Sequence, residues 1–455
     1  MTEPPSGGAP PGRSFRPFAA RAAAFLAIVG PGVITANVDN DAGGIATYSM
    51  AGAQFGYALL WVLVPVTLAL IVVQEMSSRL GAITGKGLAD LIRENFGLRI
   101  TFYILLALLV TDIGNTVAEF AGWAAAMEIF GVPRVVSVPI GAFVVWWMVV
   151  KGTYRTVEKI FLVACTVYFT YVVSALMARP GWSDVVKQTF EPRVQGDSAV
   201  VLMIIGIVGT TIAPWMQFYL QSSIVEKRIG PEEYGISRWD VIVGCFMAAV
   251  VAFFIVVACG ATLHPRGIEI HGAEEAALAL APLAGTWAKT LFAIGLANAS
   301  LFAASILPLA TAYSICEGLG FEAGVNKTWK EAPEFLGLYT LMIAIGAGTI
   351  MIPGVPLFPV LFLSQVLNGL LLPFILVFML LLINNEELMG EWVNGRFWNA
   401  VAWGTTGIMG ILTPYAFDEV LGIAGKVIVP ADVLDVLEQR QGGVERHVGV
   451  AGQLL

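Results

Sequence analysis

The sequence predicts an all-α polytopic membrane protein: a five-plus-five inverted repeat with an additional eleventh helix, its first and sixth helices broken. Three observations carry that prediction. Of 455 residues, 57% are hydrophobic and only 13% charged, against about a quarter charged in soluble domains; mean hydropathy is +0.78. Apolar stretches of about 20 residues, long enough to cross ~30 Å of hydrocarbon as a helix, recur from residue 20 to residue 417. Two of these stretches, the first and the sixth, are long yet interrupted at mid-membrane by polar residues, Gly or Pro.

Taken in order, residues 1–19 are Pro/Gly-rich and polar. They read as a disordered cytoplasmic tail without the apolar core of a cleavable signal. Hydropathy, Pro/Gly breaks and charged loops then place spans at about 20–50, 55–80, 100–130, 135–150, 156–178, 199–226, 240–263, 284–318, 334–352, 356–384 and 396–417. Repeat one covers 20–178, repeat two 199–384, and the last span stands outside the repeat. Residues 418–455 are expected to form a C-terminal extracellular tail, in which VIVPADVLDVLEQ is amphipathic but too short and charged to span. Lys and Arg, retained on the cytoplasmic side during insertion, concentrate on one set of loops (Arg79, Lys86, Arg93, Lys151, Lys227, Lys327 among them). This bias puts the N-terminus inside and the C-terminus outside.

The breaks carry the chemistry. NVDNDAGGIAT in the first span sets Asp39 and Asp41 beside Gly43 and Gly44 at lipid depth. An ionised carboxylate there costs about 2.5–3.5 kcal/mol on insertion scales and persists only with a partner or a water-filled cavity. Glycines let the helix unwind and free carbonyl oxygens, and carboxylate plus carbonyl plus water is a hard-oxygen site suited to a divalent metal. The alternative is a kink in which Asp41 bonds to backbone. GTTIAPWMQ in the sixth span places Thr210, Thr211 and Pro214 at matching depth, and Pro214 strands the carbonyls one turn before it. Paired interruptions in two halves point to a midplane site between inverted repeats.

Other polar residues at depth are weaker signals. Asp112, Asn115, Thr116 and Glu119 follow the i, i+3, i+4, i+7 rule, a face that either lines an ion path or bonds to a neighbouring helix. Gln365 with Asn368, and Asn298 with Ser300, are similar pairs. His264, His271 and His447 fall in a loop or tail, so no histidine is predicted in the membrane core to relay protons. The four cysteines lack metal or disulfide spacing and read as buried thiols. The net charge of −8 is spread out, with no basic stripe for nucleic acid. No Walker loop, GxSxG or HExxH occurs, which argues against an ATP-driven pump or a hydrolase.

The segments GPGVITANVDNDAGG, AGAQFGYALLWV, GTTIAPWMQFYLQSS, CEGLGFE and LSQVLNGLLLPF together resemble the Nramp family of divalent metal transporters, over nearly the whole membrane domain. The resemblance implies a LeuT-like inverted-repeat fold in which the unwound parts of spans one and six hold the ion. Where typical members have Asp-Pro-Gly-Asn, this chain aligns Asp41-Ala42-Gly43-Gly44, and where they have Met-Pro-His it aligns Ala213-Pro214-Trp215. A second family histidine falls at Gln221. The Asp/Glu pair of the third span corresponds either to Asp112 with Asn115 or, preferably, to Thr116 with Glu119, and either way one carboxylate is missing. These departures are similar to those of the Nramp-related magnesium transporter branch. Loss of the thioether removes a soft ligand, and small residues at 44 and 213 leave room for the waters that magnesium retains.

The resulting expectation is a plasma-membrane carrier of a prokaryote, not an enzyme. It needs no cofactor and moves partly hydrated Mg2+ and Mn2+ by alternating access without proton coupling. Asp41 is the main charge, Gly44, Ala213, Thr210 and Gln365 complete the metal site, and Glu119, Thr116, Asp112, Trp215 and Gln221 are supporting or pathway residues. The rivals are a proton-coupled Mn2+/Fe2+ importer, which would rely on Asp112 or Glu119, and an amino-acid or other organic-solute carrier on the same fold.

Overall fold

A computed structural model describes residues 30–151, 165–192 and 197–428, and these are helical with no strand. The first span is two helices, α1 (Pro31–Val38) and α2 (Ala42–Phe55), separated at Asp39–Asp41. The second and third spans are α3 (Leu60–Thr84) and α5 (Leu98–Ile129), joined through the short polar α4 (Leu88–Phe96), and α6 (Arg134–Lys151) is the fourth. Of the fifth, α7 (Phe169–Met177) is seen and residues 156–164 lie outside the described residues; α8 (Trp182–Phe190) follows. The sixth is again two helices, α9 (Ser198–Thr211) and α10 (Pro214–Glu226). The seventh is α11 (Tyr234–Thr262), and after the short α12 (Ala273–Ala277) and α13 (Ala281–Ala284) comes the eighth, α14 (Ala288–Leu319). Spans nine and ten are α15 (Pro333–Ile350) and α16 (Leu357–Ile383). The short α17 (Glu386–Met389) leads to α18 (Arg396–Ile428), which continues past the expected end of the eleventh span at 417. Most of VIVPADVLDVLEQ lies outside the described residues, as do residues 1–19.

Eight helical stretches among the described residues are long and apolar enough to cross a membrane. Side chains such as Tyr103, Phe143, Trp147, Phe246 and Phe374 are exposed on their outer faces, where lipid is the solvent. Inside, backbones approach closely, because helix association in lipid depends on van der Waals packing around small residues. A Cβ on Gly244 would lie 2.7 Å from the carbonyl oxygen of Gly32, so α11 and α1 touch backbone to backbone. A Cβ on Gly369 would lie 2.6 Å from the carbonyl of Ile205, which locks α16 against α9 and sets Gln365 beside the break in the sixth span. Gly122 of α5 leaves space for Ala42 and for Ser300 Oγ, 2.5 Å from where its Cβ would stand. These glycines converge α5, α9, α14 and α16 on the break between α1 and α2.

Candidate ion site at the two broken helices

Asp41 ends the break by capping α2: its backbone is extended (φ −68°, ψ −175°) and its Oδ1 accepts the Gly44 N–H at 2.6 Å. This is the N-cap geometry a carboxylate adopts when it satisfies an orphan donor of a first turn. The backbone contact anticipated for a simple kink is therefore present, but it leaves the other carboxyl oxygen for further partners. The Glu119 carboxyl is a close neighbour of Asp41, and the Gln365 amide lies against Gly43, 1.9 Å from where a Cβ on that glycine would stand. Glu119 Oε2 also accepts the Ala42 N–H at 3.4 Å, and its Oε1 has no hydrogen-bond partner. Two buried carboxyls thus face each other at the break with no lysine, arginine or histidine paired to either among the described residues.

On the far side of Gly44 the sixth span contributes. The point a Cβ on Gly44 would occupy lies 2.6 Å from the Asp39 carbonyl oxygen, 3.0 Å from Thr210 Oγ1 and 3.3 Å from Asp41 Oδ1. A backbone carbonyl, a hydroxyl and a carboxylate, drawn from both broken helices, therefore meet over one glycine. Thr210 Oγ1 is buried and makes no hydrogen bond, whereas Thr211 Oγ1 is engaged by the Tyr48 hydroxyl at 2.7 Å. The space over Gly44 is closely bounded by these oxygens rather than being an empty hollow.

The other sequence-derived residues divide. Ala213 is the N-cap of α10, and its carbonyl oxygen is taken twice, by the Met216 N–H at 3.1 Å and by the Gln217 amide at 2.8 Å. Pro214 frees this turn from the helix ladder, and the α10 N-terminus then reclaims the carbonyl. Trp215 is fully buried and packs its ring against Tyr219, with centroids 6.2 Å apart. Gln221 sits two turns beyond Pro214, about 10 Å along the helix axis, where its amide donates to the Lys86 carbonyl at 2.8 Å. It ties α10 to the loop after α3, away from the break. Thr116 bonds back to the Asp112 carbonyl at 2.7 Å, and its methyl abuts Gly346 of α15.

Asp112 is also removed from the break, yet it is wired to it. Its Oδ2 accepts from Thr311 Oγ1 at 2.8 Å and its Oδ1 from Asn115 at 3.3 Å. Asn115 and Asn368 exchange amide hydrogen bonds at 3.0 Å, and Asn368 donates to Gln365 at 3.1 Å. A continuous buried chain thus runs Thr311–Asp112–Asn115–Asn368–Gln365, across α14, α5 and α16, and ends with the Gln365 amide against Gly43, two residues after Asp41. The shared face at 112, 115, 116 and 119 and the Gln365/Asn368 pair were legible in the sequence; that they bond to one another was not. Thr311 and the Asp39 carbonyl were missed, because a lone Thr in an apolar helix and a backbone oxygen leave no pattern to read.

One cavity lies toward the ends of the helices. That cavity, about 530 Å³, is lined by Lys86, Asp90, Ser222, Glu226, Tyr313 and Glu317 at the ends of α3, α10 and α14, and no residue of either break borders it. Among the described residues no three His, Cys, Asp or Glu side chains gather as a metal cluster. His264 instead bonds to the Ala53 carbonyl at 2.9 Å beside the end of α2, and His271 stands exposed 3.6 Å from Glu269.

Known proteins are similar to this chain in sequence and in fold. The chain is 28% identical over 410 residues to a divalent metal cation transporter MntH of Deinococcus radiodurans, covering 88% of this chain and 91% of that one. To the MntH of Klebsiella pneumoniae subsp. pneumoniae it is 28% identical over 392 residues, 84% and 92% of the two chains. Among solved structures, the Eremococcus coleocola manganese transporter superposes with a TM-score of 0.73 at 23% identity, covering 98% of this chain and 95% of that one. Mhp1, a nucleobase-cation-symport-1 family transporter, superposes with a TM-score of 0.54 at 17% identity, over 88% and 92%. Both likenesses establish the fold, the LeuT-like inverted repeat with broken first and sixth helices. A family model described as natural resistance-associated macrophage protein-like matches residues 32–417, which takes in both breaks, and the chain belongs to the Nramp family.

Proposed function

We propose that this divalent metal transporter of the Nramp family carries Mg2+ and Mn2+, partly hydrated, by alternating access and without proton coupling, in the plasma membrane of a prokaryote with its N-terminus inside. The relatives named above are a divalent metal cation transporter and a manganese transporter, and this reading extends theirs to a harder ion. The observation that carries it is the convergence of the Asp39 carbonyl, Thr210 Oγ1 and Asp41 Oδ1 over Gly44. All three are oxygens. Mg2+ and Mn2+ favour oxygen ligands, whereas thioether sulfur selects softer metals, and Ala213 stands where the resemblance placed a Met. Glu119 stands beside the Asp41 carboxyl and Gln365 against Gly43, and both serve as ligands or as acceptors for retained water.

Uptake of Mg2+ into proteoliposomes, followed with an entrapped fluorescent magnesium reporter, tests class and ion together. The expected result is saturable uptake that Mn2+ competes away. Uptake of Mn2+ with no Mg2+ uptake and no Mg2+ competition overturns the magnesium assignment.

The facing Asp41 and Glu119 carboxyls favour a second reading, coupled transport. A proton bridging the pair in the ion's absence would leave as the ion enters, since two adjacent carboxylates offer their full charge to one divalent cation. Metal-driven acidification of the vesicle lumen, read with a pH dye, decides between them. The uncoupled reading expects none, with no membrane histidine to relay the proton.

A further inference from the structure

The first break holds a second carboxyl, on Asp39, of which only the backbone carbonyl borders Gly44. Asp39 is 3% exposed, and its Oδ1 has no hydrogen-bond partner. The side-chain groups within its electrostatic reach are the Asp41 carboxyl, the Tyr48 hydroxyl and the Cys245 thiol. Tyr48 is already engaged with Thr211 at 2.7 Å. No lysine, arginine or histidine pairs with Asp39 among the described residues. Its neighbour Asn40 donates to the Ala248 carbonyl of α11 at 3.3 Å and leaves its own Oδ1 without a partner. The α11 side of the break thus presents two buried acceptor oxygens, Asp39 Oδ1 and Asn40 Oδ1, with no donor supplied by the protein.

Buried acceptors are almost always satisfied, and an exception calls for a ligand, ion or water. A divalent cation that keeps part of its hydration shell brings donors of that kind, because its bound waters are strongly polarised and must be accepted by something. The Asp39 carbonyl stands 2.6 Å and Thr210 Oγ1 3.0 Å from the point a Cβ on Gly44 would occupy, so Asp39 already contributes one oxygen there through its backbone, and its side chain belongs to the same three-residue break.

We propose that Asp39 is a second anionic group of the ion site, accepting hydrogen bonds from the waters of the bound cation on the α11 side, while Asp41 and Thr210 face the ion from the other. The proposal rests on the divalent-cation reading of the site. It makes Asp39 a specificity-determining residue: a carboxylate acting through water favours the ion that holds its water more tightly, which is Mg2+ over Mn2+.

The test is Asp39→Asn, close in shape and without the charge, with Asp39→Glu as the charge-retaining control. Both are compared with the parent in proteoliposomes for Mg2+ and Mn2+ uptake, with KM and maximal rate separated. Asp39→Asn is expected to raise KM for Mg2+ about tenfold or more and KM for Mn2+ by a clearly smaller factor, at little change in maximal rate. Asp39→Glu is expected to recover most of the Mg2+ affinity. Equal KM in parent and Asp39→Asn for both ions, or a fall in maximal rate alone that Asp39→Glu does not rescue, overturns the proposal. Should Asp39→Asn fail to fold, Asp39→Ser, smaller and equally uncharged, takes its place: a larger rise in KM for Mg2+ than for Mn2+ supports the proposal, and unchanged KM for both ions overturns it. If the parent carries Mn2+ but not Mg2+, the magnesium reading fails by itself. Asp39 is then judged on the Mn2+ KM of its Asn variant: a rise of about threefold or more supports it, and an unchanged value refutes it.

Discussion

Gly44→Ala probes the ion site with one carbon atom. The added Cβ would stand 2.6 Å from the Asp39 carbonyl oxygen, 3.0 Å from Thr210 Oγ1 and 3.3 Å from Asp41 Oδ1. A carbon and an oxygen in close contact settle at about 3.3 Å, so the Asp39 carbonyl must retreat by roughly 0.7 Å and Thr210 by roughly 0.3 Å. The first of these is backbone held between two helices, and overpacking of this kind costs about 1–3 kcal/mol. Gly44 lies in the first turn of α2, where Ala improves helix propensity by up to about 1 kcal/mol. With the full propensity gain, net stability therefore falls by roughly 0–2 kcal/mol, while the three oxygens are forced apart. If they bind the ion, the same 1–3 kcal/mol appears as about a 5- to 150-fold rise in KM for Mg2+. The assay is reconstituted uptake, paired with thermal melting in the presence and absence of Mg2+. A stable Gly44→Ala protein that transports with the parent's KM would show that the ion does not bind at these oxygens. Gly44→Asn, which restores the residue of typical Nramps, is expected to be at least as damaging here, since the same Cβ must fit before any amide ligand is gained.

Asp41→Asn keeps a good N-cap for α2 and removes only the charge. It is expected to melt within about 1 kcal/mol of the parent yet lose uptake by about 30-fold or more, the cost of removing one partner from a buried charge pair; unimpaired uptake would move the site elsewhere. A third prediction concerns α1, whose first turn is held by Asp240 of α11: the Gly30 and Gly32 N–H groups donate to its carboxylate at 3.2 and 2.7 Å. Asp240→Ala removes two charge-assisted hydrogen bonds of about 1.5–3 kcal/mol each. It should release α1 and speed maleimide labelling of Cys245, which is 1% exposed in the closed packing, with the labelled site identified by mass spectrometry. Unchanged labelling would mean that the Gly32–Gly244 contact alone keeps α1 docked.

Hydrophobicity in lipid is a one-dimensional property, so the spans and both breaks could be read along the chain. A segment either crosses the bilayer or does not, and polar residues at depth stand out against it. That is why α5, α6, α9 with α10, α15 and α16 fall within a few residues of their expected ranges, and why Asp41, Thr210, Glu119 and Gln365 were found as candidates. The residues only mark which helix faces turn inward; which faces meet is set by glycines that let backbones touch, and a glycine in an apolar run carries no partner's name. Gly122 brings Glu119 to Ala42, and Gly369 brings Gln365 to the sixth span. Tertiary packing alone joined Asp112 to the break through Asn115, Asn368 and Gln365, and placed Gln221 with Lys86 instead. It also decided between two equivalent backbone oxygens. The Ala213 carbonyl, in the break just before Pro214, is taken by the first turn of α10, while the Asp39 carbonyl faces the space over Gly44, because a carbonyl's availability depends on the donors around it in space.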